Sequence, residues 1–154
     1  MSFAKTTVVL ATALLLSTSA FAGDTKFDGT RVTVASAKSF EAVVDSLKAL
    51  VAKNGMMVMA EVNQGQMLSM TGLSLKATLF LVGNPTVGKQ IFEQNHAAGL
   101  YIPLRVFVYE DAGKTFISYD KPSSLLGQFK NDKVKMVGDM LDKNIGGLAS
   151  MAAQ

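Results

Sequence analysis

Hydrophobic and polar residues follow two different periods along this chain, and the changes of period predict its elements. Residues 31–35 alternate in the β-branched manner that is typical of a strand. From Ser39 the apolar residues recur every three or four positions as far as Asn54 and Gly55, which predicts a helix with one buried stripe. Residues 56–62 are short and apolar, so we expect a second strand and, with it, a right-handed strand–helix–strand unit.

The middle of the chain continues in the same way. Residues 66–72 allow one or two helical turns, and residues 77–82 are apolar almost throughout, as in a strand that is buried on both faces. A Gly-Asn pair interrupts this strand, and Pro85 then suits the first turn of a helix over residues 86–95. We therefore expect a third strand followed directly by a short helix.

Two further apolar segments, residues 104–110 and 114–119, predict a β-hairpin that turns at residues 111–113. If the Ala-Gly pair forms a two-residue loop, Val108 lies opposite Ile117 on one face of the sheet. Both faces of the hairpin then carry apolar or aromatic side chains.

The aromatic residues of this hairpin predict how the protein assembles. In the same register Phe107, Tyr109 and Phe116 share the second face of the sheet. One layer of helices covers only one face, so the second face needs another cover. We expect a homodimer, and the alternative is a monomer whose C-terminal helix wraps round the sheet.

The whole pattern predicts one α+β domain, with a mixed or antiparallel sheet of about five strands and helices layered on it. We place this domain at residues 30–130. Residues 131–154 have helical spacing loosened by glycines, which predicts a C-terminal helix that frays after Lys143. Residues 23–29 are polar with two glycines, which indicates a flexible lead-in.

The first 22 residues have the three parts of a secretory signal peptide. Lys5 gives the positive start, residues 7–16 give an apolar run, and residues 20–22 place small side chains at a cleavage site. The run is shorter than the roughly 20 residues that span a bilayer, so we expect cleavage and no stable membrane insertion. The predicted location is therefore the periplasm.

The amino-acid composition excludes several kinds of chemistry. The chain has no cysteine, which excludes disulfides and thiol redox reactions. Its formal charge of +3 includes no dense block of lysine and arginine, so nucleic acid is not an expected partner. We find no nucleophile with a base, no phosphate loop and no standard metal-ligand cluster in the sequence, and expect no cofactor.

Five short stretches together carry a family likeness. Their order and spacing resemble the domain-of-unknown-function 302 family over most of the chain. The resemblance implies a small, commonly dimeric α+β domain that binds or assists without an agreed reaction. The stretches are residues 72–73, 79–85, 103–111, 113–115 and 118–122.

This sequence departs from the family pattern at two places. The family often has an Asp-His pair where Asn63 and Gln64 stand here, and a further histidine near Gln128, where this chain has none. A metal or acid–base role for such histidines therefore does not carry over to this protein.

Four residues are candidates for binding a small ligand. Asn84 precedes a helix whose first amides could hold an anion, with a structural turn as the alternative. Arg105 and Glu110 lie at the hairpin edges, and Arg105 falls opposite Asp120, so we expect a cross-strand ion pair there. The hydroxyl of Tyr119 could bond a ligand, and burial in the core is the alternative.

The methionines suggest a second kind of site. Met56, Met59, Met67 and Met70 offer thioethers, which are soft ligands suited to Cu(I), and His96 is the only histidine. The alternatives are that methionine fills an irregular core and that the imidazole interacts with a helix end.

We conclude that the sequence predicts an exported, non-enzymatic protein that binds a small ligand or acts as an accessory factor. The region in which to look for a bound ligand is the one between the hairpin and the helix after Pro85. One alternative is a periplasmic enzyme with a pocket around Arg105, Glu110 and Tyr119, and the other is a methionine-based copper-binding protein.

Overall fold

The computed structural model describes residues 25–154, except for the side chains of residues 26–28, and shows a six-stranded sheet with helices. The signal peptide predicted at residues 1–22 lies outside the described residues. The strands are β1 (Thr25–Asp28), β2 (Arg31–Ser36), β3 (Met57–Asn63), β4 (Ala77–Gly83), β5 (Leu104–Asp111) and β6 (Lys114–Asp120). The α-helices are α1 (Phe40–Lys53), α2 (Gln64–Ser69), α3 (Pro85–Phe92), α4 (Pro122–Leu126) and α5 (Asp132–Ala153), with 3₁₀ helices at His96–Tyr101 and Gly127–Phe129.

The strands lie in the order β1-β2-β6-β5-β4-β3, and each neighbouring pair is antiparallel. The α+β fold and the five expected strands are confirmed. The strands β2 and β3 on either side of α1 run in the same direction, but β6, β5 and β4 lie between them. The strand–helix–strand unit therefore spans the sheet instead of joining neighbours.

Strand β1 lies where we expected a flexible lead-in, and that interpretation is wrong for residues 25–28. These residues pair with residues 31–34 across a turn at Gly29, whose φ is +60°. A polar segment can form such a strand because the backbone N–H and C=O groups supply the hydrogen bonds.

The predicted element ends are set by local contacts. The Ser39 hydroxyl accepts a hydrogen bond from the Ala42 amide at 3.2 Å and so caps α1, as expected. Pro85 occupies the first turn of α3, also as expected. The hairpin turn consists of Ala112 and Gly113, with φ of 48° and 75°, and it gives the predicted register.

Helices α1 and α5 cover one face of the sheet and form the core with it. Val34, Val108 and Ile117 point into this core and are at most 2% exposed. Helix α5 continues to Ala153, so the fraying expected after Lys143 is wrong. Its last turns are held because their apolar side chains are buried in the core, and this packing outweighs the low helix propensity of glycine.

One glycine of α5 allows a close approach to α4. A Cβ added at Gly138 would lie 2.9 Å from the Cα of Ser123. One turn later, the Asp142 carboxylate accepts hydrogen bonds from the Ser123 amide at 2.9 Å and hydroxyl at 2.5 Å. Since Lys121 provides no side-chain cap, Asp142 caps α4 from the neighbouring helix.

We predict opposite effects for two glycine replacements in α5. Gly138→Ala forces the two helices apart and should lower the free energy of unfolding by about 1–3 kcal/mol. Gly147→Ala is the matched control, because a Cβ there meets no atom within 4 Å, and it should raise stability by up to about 1 kcal/mol. Urea unfolding of both variants measures the difference, and equal shifts would contradict the packing argument.

Candidate functional site

A cavity of about 220 Å³ lies between the end of β4, the helix α3 and the start of β5. This is the region between the hairpin and the helix after Pro85 in which a ligand was to be looked for. The cavity opens to solvent on one side. Its walls are formed by Met56, Met59, Val82, Gly83, Asn84, Pro85, Val87, Gly88, Lys89, Ile91, Phe92, Ile102, Pro103, Leu104 and Leu141.

The walls are apolar because each element turns its buried stripe towards the cavity. Val82 and Leu104 continue the core side of β4 and β5, and Ile91 is fully buried on the inner side of α3. Val87, Ile91 and Phe92 recur at helical spacing along α3, which is the pattern of one apolar stripe. The periodicity of α3 was the one signal that could have pointed to them.

The two polar residues at this cavity are already engaged. The Asn84 Oδ1 accepts hydrogen bonds from the Thr86 and Val87 amides at 2.8 and 3.3 Å, and its Nδ2 donates to the Gly55 carbonyl at 2.8 Å. Lys89 forms an ion pair with Glu93 one turn along α3. Asn84 therefore borders the cavity as a helix cap, and the α3 amides that it holds are not free for an anion.

The structure separates the methionines that were candidates for Cu(I). Met56 and Met59 line the cavity, and Met59 lies against Gly83. Met67 and Met70 belong to the α2 region, which follows the other end of β3. Since β3 rises by about 3.3 Å per residue, the two pairs are on the order of 20 Å apart, and they do not form one site.

His96 lies away from the cavity lining. It begins the 3₁₀ helix His96–Tyr101, and its ring centroid is 6.5 Å from that of Phe92. Within residues 25–154 there is no group of three or more His, Cys, Asp or Glu residues that could hold a metal ion.

The predicted ion pair between Arg105 and Asp120 is wrong. Strand β2 places Arg31 directly opposite Asp120, and the Arg31 Nε donates to the Asp120 carboxylate at 3.1 Å. Glu110 is engaged elsewhere too, since its carboxylate lies 3.7 Å from the Lys76 ammonium. The sequence could not reveal these pairings because the neighbours of β6 and β4 depend on the order of the strands.

Tyr119 is buried on the helix side of β6 and is 7% exposed. A Cβ added at Gly146 of α5 would lie 3.1 Å from the Tyr119 hydroxyl. Burial raises the pKa of this phenol, and the negative charge of Asp142 raises it further. The Tyr119 side chain is therefore buried in the core in this structure, which was the alternative to binding a ligand.

The three residues of the proposed enzyme pocket do not converge. Arg105 alternates with the buried Leu104 and Val106, so it lies on the sheet face opposite α1 and α5. Glu110 and Tyr119 point to the helix side by the same alternation. The side chains of Arg105 and Tyr119 are thus on opposite faces of the sheet.

We call the sheet face opposite α1 and α5 the second face. It carries a broad, shallow groove of about 470 Å³. As predicted, it holds the aromatic residues of the hairpin, whose ring centroids are 5.1 Å apart for Phe107 and Tyr109 and 5.3 Å for Tyr109 and Phe116. All three rings are half-buried and lie outside the core. The residues of this face that line the groove are Arg31, Thr33, Gln64, Leu79, Arg105, Phe107, Tyr109, Ser118 and Asp120.

The sequence model of the family described as "Domain of unknown function DUF302" matches residues 32–150. The chain belongs to the DUF302 family. The match includes most of α5, so the domain of this DUF302 protein extends beyond the boundary at residue 130 that we expected. The C-terminal helix is accordingly part of the family domain.

A solved structure has the same fold. The crystal structure of the uncharacterized conserved protein DUF302 from Bacillus stearothermophilus matches with a TM-score of 0.76 and 19% sequence identity. The match covers 82% of this chain and 100% of that chain. At this identity the comparison establishes the α+β architecture alone.

Curated proteins that are similar to this chain are named as channels. The chain is 31% identical over 100 residues to the fluoride-specific ion channel FluC 1 of Brucella suis biovar 1 and to that of Brucella abortus biovar 1. The matched region is 64% of this chain but 39% and 37% of those proteins. The chain thus spans about two fifths of the length of these relatives.

Among the helices formed by residues 25–154, none has the length and apolar character needed to cross a membrane.

We predict that Tyr119 makes stability depend on pH in the alkaline range. Below its ordinary pKa of 10.0 the phenol is protonated in both the folded and the unfolded state, and its contribution to the free energy of unfolding is complete. Above that pH the unfolded phenol ionises first, so the free energy of unfolding falls as the pH rises towards the higher pKa of the folded state. Tyr119→Phe should show a shallower decline in urea unfolding between about pH 9 and pH 11.

The comparison isolates Tyr119 from other alkaline groups. Lys48, Lys76 and Lys135 have pKa values raised by hydrogen bonds to carboxylates, and they are present in both proteins. Their contribution to the pH dependence of stability has the same sign as that of Tyr119. It cancels when the slope for Tyr119→Phe is subtracted from the slope for wild type. Equal slopes for wild type and Tyr119→Phe would contradict the assignment.

Proposed function

We propose that this DUF302 protein is exported and binds a small apolar ligand in the cavity beside α3 without transforming it. The observation that carries the proposal is a solvent-connected cavity of about 220 Å³ with almost wholly apolar walls. A cavity of roughly 150 Å³ lined by aliphatic and aromatic residues is enough to hold benzene. The ligand class is therefore a molecule, or part of one, with a single ring or a short alkyl chain.

The polar groups around the cavity support binding over catalysis. Catalysis needs a titratable or nucleophilic group that reaches the reacting atoms. Lys89 is the one ionisable residue in the lining, and its ammonium is exposed and paired with Glu93. A ligand held here gains free energy from apolar burial, on the order of 25 cal/mol for each Å² removed from water.

Two features of the sequence support export. The first 22 residues have the charge, apolar run and small residues of a cleaved signal peptide. The rest of the chain has no cysteine, so its fold needs neither a reducing nor an oxidising compartment.

Filling the cavity is predicted to abolish binding. A Cβ added at Gly88 would meet no atom within 4 Å, so Gly88→Leu places its side chain in the space that a ligand would use. Titration of the protein with benzene and with indole, followed by NMR, should show saturable binding that Gly88→Leu weakens by at least about tenfold.

Gly88→Ala is the matched control for this experiment. Both replacements remove a glycine from a helix, so neither is expected to destabilise the fold. The alanine leaves most of the cavity open, and its affinity should stay within about threefold of wild type. Absence of saturable binding by any one-ring probe, or equal binding by the leucine variant, would contradict the proposal.

Sodium fluoride and Cu(I) serve as comparison ligands. Fluoride is a small, strongly hydrated anion and needs free N–H donors or an unpaired cation, whereas Lys89, the one cation in the lining, is paired with Glu93. Cu(I) would have only Met56 and Met59 as thioether ligands in the cavity. Saturable binding of either ion at the cavity, with no binding of benzene or indole, would overturn the choice of an apolar ligand.

We predict that the exported protein begins at Gly23. Expression of the full chain in a Gram-negative host should give a periplasmic protein, and N-terminal sequencing identifies its first residue. Replacing both Ala20 and Ala22 by arginine removes the small residues from the cleavage site and should leave the chain unprocessed. Cytoplasmic accumulation of wild-type chain that retains Met1 would contradict export.

A further inference from the structure

The second face of the sheet has a charge pattern that changes sign from one end of the hairpin to the other. Along β5 this face carries Arg105, then the stacked rings of Phe107 and Tyr109, then Asp111. The arrangement is positive at one end, aromatic in the middle and negative at the other end.

Strand β6 carries the reverse pattern beside it. Its residues on the same face begin with Lys114, continue through Phe116 and Ser118, and end with Asp120. Because Asp111 pairs in register with Lys114, each end of the hairpin has one positive and one negative side chain. The sign on β6 is opposite to the sign on β5 at both ends.

Three of these four charges, Arg105, Asp111 and Lys114, have no partner among residues 25–154, whereas Asp120 is paired with Arg31. Among residues 25–154, Arg105 and Asp111 take part in no ion pair and no side-chain hydrogen bond, and both are exposed. The rings between them are only half-buried. An apolar centre with unpaired charges at its rim is the arrangement expected of a binding surface.

A single two-fold axis matches the face to itself. Val108 is halfway between Arg105 and Asp111 on β5, and Val108 pairs in register with Ile117 of β6. Ile117 is in turn halfway between the charged residues at the two ends of β6. Consider a two-fold axis that lies between two such faces, perpendicular to the strands and level with Val108 and Ile117. It places each strand over the same strand of the second copy, and the two strands run in opposite directions.

This axis brings unlike groups together on both strands. Arg105 lies opposite Asp111 of the second copy, and Asp120 lies opposite Lys114 of the second copy. Phe107 meets Tyr109 at the centre. The arrangement is an isologous contact, in which the same pairings occur twice.

The size of the face fits a stable dimer. Six strands about 4.8 Å apart and about seven residues long at 3.3 Å each give roughly 700 Å². Stable interfaces bury about 800 Å² on each partner, so the face reaches the usual range. Packed sheets lie about 10 Å apart with strands within about 30° of each other, which leaves room for the rings in the middle.

We propose that the second face binds the second face of another copy of this chain, with β5 antiparallel to its counterpart and Arg105 paired with Asp111 across the interface. The pairing explains why these two charges stay unpaired within one subunit. It is independent of the cavity beside α3, which lies on the helix side of the sheet.

Charge reversal tests the pairing directly. The full chain should sediment as a dimer at micromolar concentration. Arg105→Asp and Asp111→Arg each place like charges together twice in the dimer, and each should weaken dimerisation by at least about tenfold at low salt. The double variant restores opposite charges and should return the dissociation constant to within about threefold of wild type.

Controls separate this interface from other effects. Lys133→Glu reverses an exposed charge on α5, on the helix side, and should leave the dimer unchanged. Gly88→Leu alters the cavity and should also leave it unchanged, so failure of the ligand proposal is distinguishable from failure of this one. Circular dichroism checks that every variant is folded.

Each remaining outcome counts against the proposal. Wild-type protein that stays monomeric at 100 µM would overturn it. A dimer that neither single reversal weakens would place the interface elsewhere. A double variant that stays as weak as the single variants would overturn the antiparallel pairing of the two strands.

Discussion

The register of the β5–β6 hairpin is the constraint on which the rest of the structure depends. The two turn residues Ala112 and Gly113 both have positive φ, and this turn fixes Asp111 opposite Lys114. Since side chains alternate along a strand, a slip by one residue would exchange the two faces. Val108 would then leave the core, and aromatic rings too large for its place would turn towards α1 and α5.

The same register explains why the cavity and the second face lie in different parts of the molecule. On the core side, the end of β4 and the start of β5 meet the short helix α3 and Leu141 of α5 without filling the space between them. The remaining space is the cavity. No helix within residues 25–154 covers the aromatic rows of the second face, so these rows stay half-buried beside a groove that is larger than the cavity.

The sequence marked some of the segments around the cavity but not the residues of its walls. Proline and the preceding Gly-Asn pair marked the end of β4, and an apolar helix after them is readable from the sequence. The wall residues come from five separate elements, β3, β4, α3, β5 and α5, and no local pattern joins them. Arg105 and Tyr119 appeared as neighbours because they are close in strand register, whereas alternation places their side chains on opposite faces.

The sequence by itself determined most elements of this protein, although not the strand β1, because helix caps, the hairpin turn and the alternation of apolar residues depend on contacts between near neighbours in the chain. Ser39, Pro85 and the Ala-Gly turn are all read in this way. Only the tertiary structure decided the strand order, the pairing of Asp120 with Arg31 and the persistence of α5 to Ala153. These depend on contacts between distant segments, whose packing energy overrides local preferences and leaves no period in the sequence.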